Sequence, residues 1–524
     1  MSETDRAVTR RAGIVGAGTL ASRVLGLVRE GVIAAYFPTE AIDAYQVAFM
    51  IPNSFRRLTA EGSFSTSVTS VFSKIWTGGD RAEARLFVRA TTGFALIFLL
   101  LLAAAGTAGA EGLAWLAGRG FTEHPEKFAL AVRLTRTMFP YVLLVSLTAL
   151  AMGLLNSTGR FFAPAFAPVL LNISIIGCAV GLSGAMPELG LDPIYALAIG
   201  VLVGGAAQVL VQLPSLRKAG LLVRPIAAFR HPGLIKVLRI TGPMVIGAAA
   251  YQVGLFISAS LASTLGHGAV TYIQFATRVM ELPLAVLVMA ISTATLPSLA
   301  ALRGQGRIEE MKATYSHALR LALFVATPAM VALVVIAEPV VAILYQRGLF
   351  DHHDTLQTAE GLRWMAVGIC SVALLRQTVP VFYALERVRL PVLMTAVNIV
   401  AFTASAVLLM EPFGHVGLCM ALSIAATVQA LGLVLLLRRE IGKLGLFGVL
   451  RGWLAMLLAS LPMAAAAWGV CRLGSWELGG GSPLNIGVLV LAVVAGAAAY
   501  ALAAVALRIG ELRDLVSIVS RRRG

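Results

Sequence analysis

Charge is scarce in this chain of 524 residues. Asp, Glu, Lys and Arg make up 13% of it, against roughly 25% in a soluble globular protein. That is too little charge to cover a water-soluble fold of this size. Cysteine is scarce too: Cys178, Cys370, Cys419 and Cys471 stand alone in or beside apolar stretches. No pair has the spacing of a redox couple or a zinc site, so they read as small apolar residues. No Ser/His/Asp arrangement, Walker loop or paired histidine with an intramembrane carboxylate occurs, and GAGTL near Gly16 is not a phosphate loop. An enzyme is not expected, nor is a cofactor. No cleavage-site pattern follows the first apolar stretch, so no removable leader is expected. The alternation of a transmembrane barrel is also missing.

What the chain has is apolar length. Its hydrophobic share is 58% and its mean hydropathy +0.85. Runs of about 20 apolar residues, enough to cross a bilayer as helix, recur from end to end. Backbone groups in lipid must be satisfied within the segment, so these spans are helices. The fold class is an all-α polytopic membrane protein with about 14 transmembrane helices. The spans are expected near 12–36, 44–73, 88–117, 128–155, 162–184, 193–215, 238–265, 269–301, 314–337, 359–385, 390–411, 415–437, 450–472 and 485–508.

The net charge of +16 is explained by where the cations sit. Even-numbered connections and the two termini hold 28 of the 42 Lys and Arg, and odd-numbered connections hold 4. By the positive-inside rule both termini are cytoplasmic, and no nucleic-acid partner is needed. The tail Arg521, Arg522 and Arg523 reads as an anchor on anionic membrane lipid. A faint internal repeat relates RFFAPAFAPVLLN, Arg160 to Asn172, to RVRLPVLMTAVN, Arg387 to Asn398, and Tyr45 to Tyr272. It predicts two pseudo-symmetric six-helix lobes, 1–220 and 221–440, with a basic cytoplasmic linker near 217–239. Two further spans and a basic tail fill 441–524. Repeats of this kind are typical of transporters.

The most informative residues are arginines within apolar spans. Each costs about 2.5–3.5 kcal/mol or more at mid-membrane unless it meets water, an anion or a partner. The first span has SRVLGLVRE, with Arg23 and Arg29 six residues apart. Six residues is about 120° around a helix, so they share no narrow face. Both can face a wide cavity, or one can snorkel or pair with Glu30. The second has DAYQVAFMIPNSFRRLTAEGSFS. Arg57 and Glu61, four apart, are expected to pair, leaving Arg56 to face a ligand. Asp43 is either a solvated or capping carboxylate at the outer end or a functional one. The eighth has QFATRVMELP. Arg278 either pairs with Glu281 three residues on or faces the cavity. Arginine suits phosphate because its fork donates in parallel to two oxygens. Arg133, Arg136, Arg320, Arg363 and Arg376 lie near span ends or on partly polar faces and are read as anchors. Asp351-His352-His353-Asp354 has metal-ligand residues but lies in an outward loop, and no metal site is expected.

The strings SRVLGLVRE, DAYQVAFMIPNSFRRLTAEGSFS, FPYVLLVSLTALAMGLLNSTGRFFAPAFAPVLLNI and ATRVMELPLAVL together resemble the MurJ (MviN) family. These are lipid II flippases of the bacterial cytoplasmic membrane, within the MOP exporter superfamily. The resemblance runs through the first twelve spans at matching spacing, and the last two fit in number and place. It implies two six-helix lobes around a central cationic cavity, with the last two spans forming a groove for a prenyl tail. It implies that lipid II turns from the inner to the outer leaflet by alternating access. The family's cavity arginines fall on Arg23, Arg29, Arg56 and Arg278, and its outer-end aspartate on Asp43. Glu61 and Glu281 match as well, and Glu30 and Arg57 are read as supporting. Thr277 and Glu30 depart from some relatives, which carry an acid beside the arginine and an Asp respectively.

With no nucleotide site, the energy is expected from an ion gradient, the membrane potential or product removal. Two other readings stay open. One is a flippase for another polyprenyl-pyrophosphate glycan or a drug exporter of the same superfamily. The other is a membrane scaffold that recruits cell-wall synthesis proteins.

Overall fold

The computed structural model describes the backbone of residues 3–59, 63–284 and 288–514. Every regular element among them is helical. Contacts gather the chain into two packing units, Met1–Val270 and Thr271–Gly524.

The first unit contains α1 (Glu3–Tyr36), α2 (Thr39–Thr59), α3 (Ser63–Thr77), α4 (Arg81–Ala108), α5 (Ala110–Ala117), α6 (Pro125–Met138), α7 (Tyr141–Ser157), α8 (Phe162–Leu182), α9 (Tyr195–Leu210), α10 (Leu213–Lys218) and α11 (Pro232–Ser263). The second begins within α12 (Ala269–Pro283). It continues through α13 (Met289–Gly304), α14 (Ile308–Val335), α15 (Ala337–Tyr345), α16 (His352–Val367), α17 (Ile369–Ala384), α18 (Arg389–Ile441), α19 (Leu446–Cys471) and α20 (Pro483–Ala506).

Helix occupies most of the described residues in each of the fourteen expected spans. By length and apolarity, eight described helices can cross a bilayer unaided, and the α16–α17 pair, bent by 45°, makes a ninth. Two of the remaining spans are described as two shorter helices each. The second span is α2 and α3, and the eighth is α12 and α13. The eleventh and twelfth expected spans join as α18, interrupted at Gly414, whose φ of 57° and ψ of −136° are open to glycine at little cost.

Local signals set the ends. Asp80 caps α4 by accepting the Glu83 N–H at 2.9 Å, and Glu83 adds an acid to the first turn. Asp351 and Asp354 form a reciprocal capping box at the start of α16. These aspartates, which resemble metal ligands in the sequence, thus have backbone partners.

In the first unit α1 packs on α8. Gly18 allows this approach, because a Cβ there would lie 2.4 Å from the Ala165 carbonyl oxygen. The helix α11, assigned to the second lobe in the sequence, packs against α2, α3 and α4 in this unit. The repeat offset reappears as matched hydrogen bonds within the two units. Ser65 Oγ donates to the Ala149 carbonyl at 3.1 Å, and Ser292 Oγ to the Arg376 carbonyl at 2.7 Å. Both positions are displaced by 227 residues, the offset that also relates Tyr45 to Tyr272.

In the second unit α19 and α20 are bound into the core rather than appended. The Tyr500 hydroxyl donates to the Phe324 carbonyl at 3.1 Å, and their rings are 5.3 Å apart. At the other end of α20, Asn485 is 1% exposed. Its Oδ1 accepts the Ser475 N–H at 3.0 Å, and its Nδ2 donates to the carbonyls of Ser475 at 3.0 Å and Gly479 at 2.8 Å. Gln346 after α15 donates to the Glu477 carbonyl at 3.2 Å and holds the same turn. The four cysteines are free thiols.

Asn485→Leu removes the partner of three part-buried backbone groups, a net loss of about 0.5–1.5 kcal/mol per hydrogen bond. A lower melting temperature of the purified protein in detergent is expected, and an unchanged melt would show that the turn is held by other contacts.

Candidate functional site

The charged side chains of α1 divide between two environments, as their angular separation requires. Arg23 is exposed, and among the described residues it has no carboxylate partner. Arg29 is buried, 9% exposed. One of its terminal nitrogens meets the Glu30 carboxylate, and the other donates to Asn172 Oδ1 at 3.1 Å. Asn172 on α8 also donates through Nδ2 to the Ser22 carbonyl at 2.9 Å. A buried guanidinium needs both charge compensation and hydrogen bonds, and Glu30 with Asn172 supplies them. The sequence reading left Asn172 without a role; its signal was an amide within an otherwise apolar span.

On α2, Arg56 is half-buried and donates through Nε to Asn53 Oδ1 at 2.7 Å, one turn back. Pro52 lies between the Asp43 and Arg56 ends of this helix. The expected pairing of Arg57 with Glu61 lies outside the described residues, since the Arg57 side chain and all of Glu61 are not described. Arg521, Arg522 and Arg523 fall outside them as well.

Asp43 is wholly buried, so it is not a solvated end-of-helix carboxylate. Its Oδ2 accepts from Lys127 Nζ on α6 at 2.8 Å and from the Gly268 backbone N–H, just before α12, also at 2.8 Å. Lys127 Nζ also stands 4.5 Å from the centroid of the Phe121 ring. Lys127, counted in the sequence as one of the few cations of the odd-numbered connections, is thereby a buried counterion. Nothing local marks it: Asp43 and Lys127 are 84 residues apart.

In the second unit Arg278 and Glu281 of α12 lie at i and i+3, with 3.7 Å between Nη1 and Oε2. Their side chains keep 37% and 46% exposure, so this contact is weak and partly solvent-screened. Arg376 is not near a helix end. It sits mid-way along α17 and donates from Nη1 to the Leu284 carbonyl at 3.0 Å. Arg363 pairs with Glu360 at 2.7 Å and Arg320 with Glu511 at 3.5 Å.

Each unit, taken by itself, carries charge pairs and at least one arginine that retains accessible surface. An arginine of that kind can attract and release an anion. The fold is shared with solved structures of transporters. The chain superposes on a lipid II flippase MurJ in an inward closed conformation with a TM-score of 0.76, at 22% identity over 96% of this chain and 99% of that one. It superposes on an inward-facing multidrug resistance MATE family transporter of the MOP superfamily with a TM-score of 0.65, at 17% identity over 81% and 95%. Fold and helices together define an all-helical, multi-pass membrane protein.

Sequence comparison narrows the class. The family profile described as Lipid II flippase MurJ matches residues 33–496. The lipid II flippase MurJ of Burkholderia cenocepacia is 36% identical over 457 residues, covering 86% of this chain and 87% of that protein. A probable lipid II flippase MurJ of Buchnera aphidicola is 33% identical over 467 residues, covering 88% and 90%. This chain belongs to the MurJ family.

Removing one partner from the buried Asp43–Lys127 pair leaves an uncompensated charge, a loss of about 3–5 kcal/mol. Asp43→Asn and Lys127→Met should each destabilise strongly, and the double variant by less than their sum. A double-mutant cycle on unfolding checks this, and strictly additive losses would dissolve the pairing.

Proposed function

We propose that this protein carries lipid II from the inner to the outer leaflet of the bacterial cytoplasmic membrane by alternating access. In this reading fourteen spans cross the membrane with both termini cytoplasmic, and the two six-helix lobes rock about a central arginine-lined cavity. Arg23, Arg29, Arg56 and Arg278 receive the pyrophosphate, with Glu30, Arg57, Glu61 and Glu281 supporting them. Asp43 belongs to the same machinery at the outer end, exchanging its internal partners during the cycle. The prenyl chain stays in lipid beside α19 and α20, since only the polar part of the substrate needs a path across about 30 Å of hydrocarbon.

The observation that carries this reading is Arg23. It is an exposed arginine eleven residues past the start of an apolar span, with no carboxylate partner among the described residues. An uncompensated cation at that depth makes physical sense if an anion visits it. Membership of a family whose relatives are lipid II flippases supports the choice of anion. The cationic residues must bind weakly enough to release. Arg29 supports that requirement, because Glu30 already neutralises part of its charge.

No nucleotide site is expected, so the cycle draws on an ion gradient, the potential or product removal. A negative interior favours outward movement of net negative charge by about 2.3 kcal/mol per charge per 100 mV. The likeness to a multidrug transporter favours a second reading, a drug exporter. Cationic drugs call for carboxylates in the spans, whereas here arginines dominate α1 and α2.

The test is complementation in a bacterium depleted of its own lipid II flippase, with outward lipid II exposure assayed. The wild type should rescue, while Arg23→Ala, Arg56→Ala and Arg278→Ala at equal membrane levels should lose rescue. Rescue by all three would remove the arginines from the path, and failure of the wild type would point to another glycan lipid.

A further inference from the structure

The helix that carries Arg278, α12, ends at Pro283. After Pro283 the α-helical pattern gives way to wider π turns at Leu284 and Val288 before α13 starts at Met289. Proline contributes no N–H and breaks the ladder of the turn before it. Backbone groups released in this way inside a membrane are held by neighbouring helices. Here one neighbour does so with consecutive side chains. Arg376 Nη1 donates to the Leu284 carbonyl at 3.0 Å, and Gln377 Nε2 donates to the Val288 carbonyl at 3.2 Å.

A third bond runs the other way. Pro380 on α17 lies four residues after Arg376, so the Arg376 carbonyl lacks its ordinary helical donor. Ser292 Oγ on α13 supplies one at 2.7 Å. Side chains of α17 thus donate to carbonyls beyond Pro283, and a side chain of α13 donates to the α17 carbonyl that Pro380 leaves without its helical donor. Gln377 is 3% and Ser292 8% exposed, so the exchange takes place away from solvent.

The matched bond in the first unit shows what the arginine adds. Ser65 donates to the carbonyl of Ala149 there, with no charged side chain at the equivalent position. The serine–carbonyl bond therefore does not require an arginine. Arg376 lies about 16 Å along the chain's helical rise from Arg387, near the middle of a hydrocarbon layer about 30 Å thick. A cation at that depth is retained for a purpose. The purpose visible in its contacts is the grip on Leu284, six residues and about 9 Å beyond Arg278 along the helix.

We propose that Arg376 is a positioning residue for transport: with Gln377 and Ser292 it ties α17 to Leu284, Val288 and the start of α13 and so sets where the Arg278 guanidinium stands. The proposal rests on Arg278 being part of the transport path.

The test joins a distance to a transport rate. Nitroxides are placed at Gln274→Cys on α12 and Ser298→Cys on α13, with the four natural cysteines replaced, and their separation is read by pulsed electron resonance. Arg376→Ala should shift or broaden the distance distribution and lower lipid II export at least ten-fold. Arg376→Lys, which keeps a donor, should narrow the distribution again and recover part of the export. Arg376→Met serves where the alanine variant does not reach the membrane. An unchanged distribution overturns the proposal whatever export does, and so does a shifted distribution with wild-type export. The distance needs no substrate, so failure of Arg278→Ala to affect export would sink the functional reading without touching the distance result.

Discussion

The cost of holding a charge within an apolar helix bundle governs this structure. The chain meets that cost in three ways. Arg29 with Glu30, and Asp43 with Lys127, are compensated by opposite charge and finished with hydrogen bonds from Asn172 and the Gly268 backbone. Arg376 is given a backbone carbonyl. Arg23, Arg56 and Arg278 keep part of their surface accessible, and Arg278 has its carboxylate partner at only 3.7 Å. The first two groups fix helices to one another. The third group is the one left able to respond to a ligand, and on the proposed function that ligand is a pyrophosphate.

The same economy applies to the backbone. Side chains from neighbouring helices or turns meet carbonyls and N–H groups near helix ends and prolines. Ser292, Arg376 and Gln377 do this between α13, α17 and the end of α12. Asn485 does it for the turn between α19 and α20. Broken helices are where transporters build polar sites within the membrane. Arg56 lies near the end of α2, just before the described chain resumes at α3, and Arg278 lies just before the π turns that lead to α13.

Much of the fold was legible because it depends on quantities a sequence carries directly. Apolar run length marks the spans, and Lys and Arg asymmetry separates the connections. Pro412 and Gly414 mark the interruption of α18 where a connection was expected. The six-residue spacing of Arg23 and Arg29 left open a shared cavity or separate surroundings, and Arg23 is exposed where Arg29 is buried. The partners were not legible, because they come from contacts between distant segments. Lys127 meets Asp43 across 84 residues, and Asn172 meets Arg29 across 143. Arg376 was read as an anchor near a span end or on a partly polar face, since nothing local reveals that it reaches the Leu284 carbonyl 92 residues away. The Asp351–Asp354 run shows the converse: a pattern with metal-ligand residues is a capping box once its backbone is seen.

The central claim is that the moving group is an anion met by arginine. The most direct measurement is transport by the purified protein in liposomes, comparing lipid II with a synthetic analogue whose pyrophosphate is replaced by a neutral linker of equal length. The account predicts that lipid II is flipped and that the neutral analogue neither moves nor competes. Equal transport of both would contradict it and leave the arginines with a structural role alone.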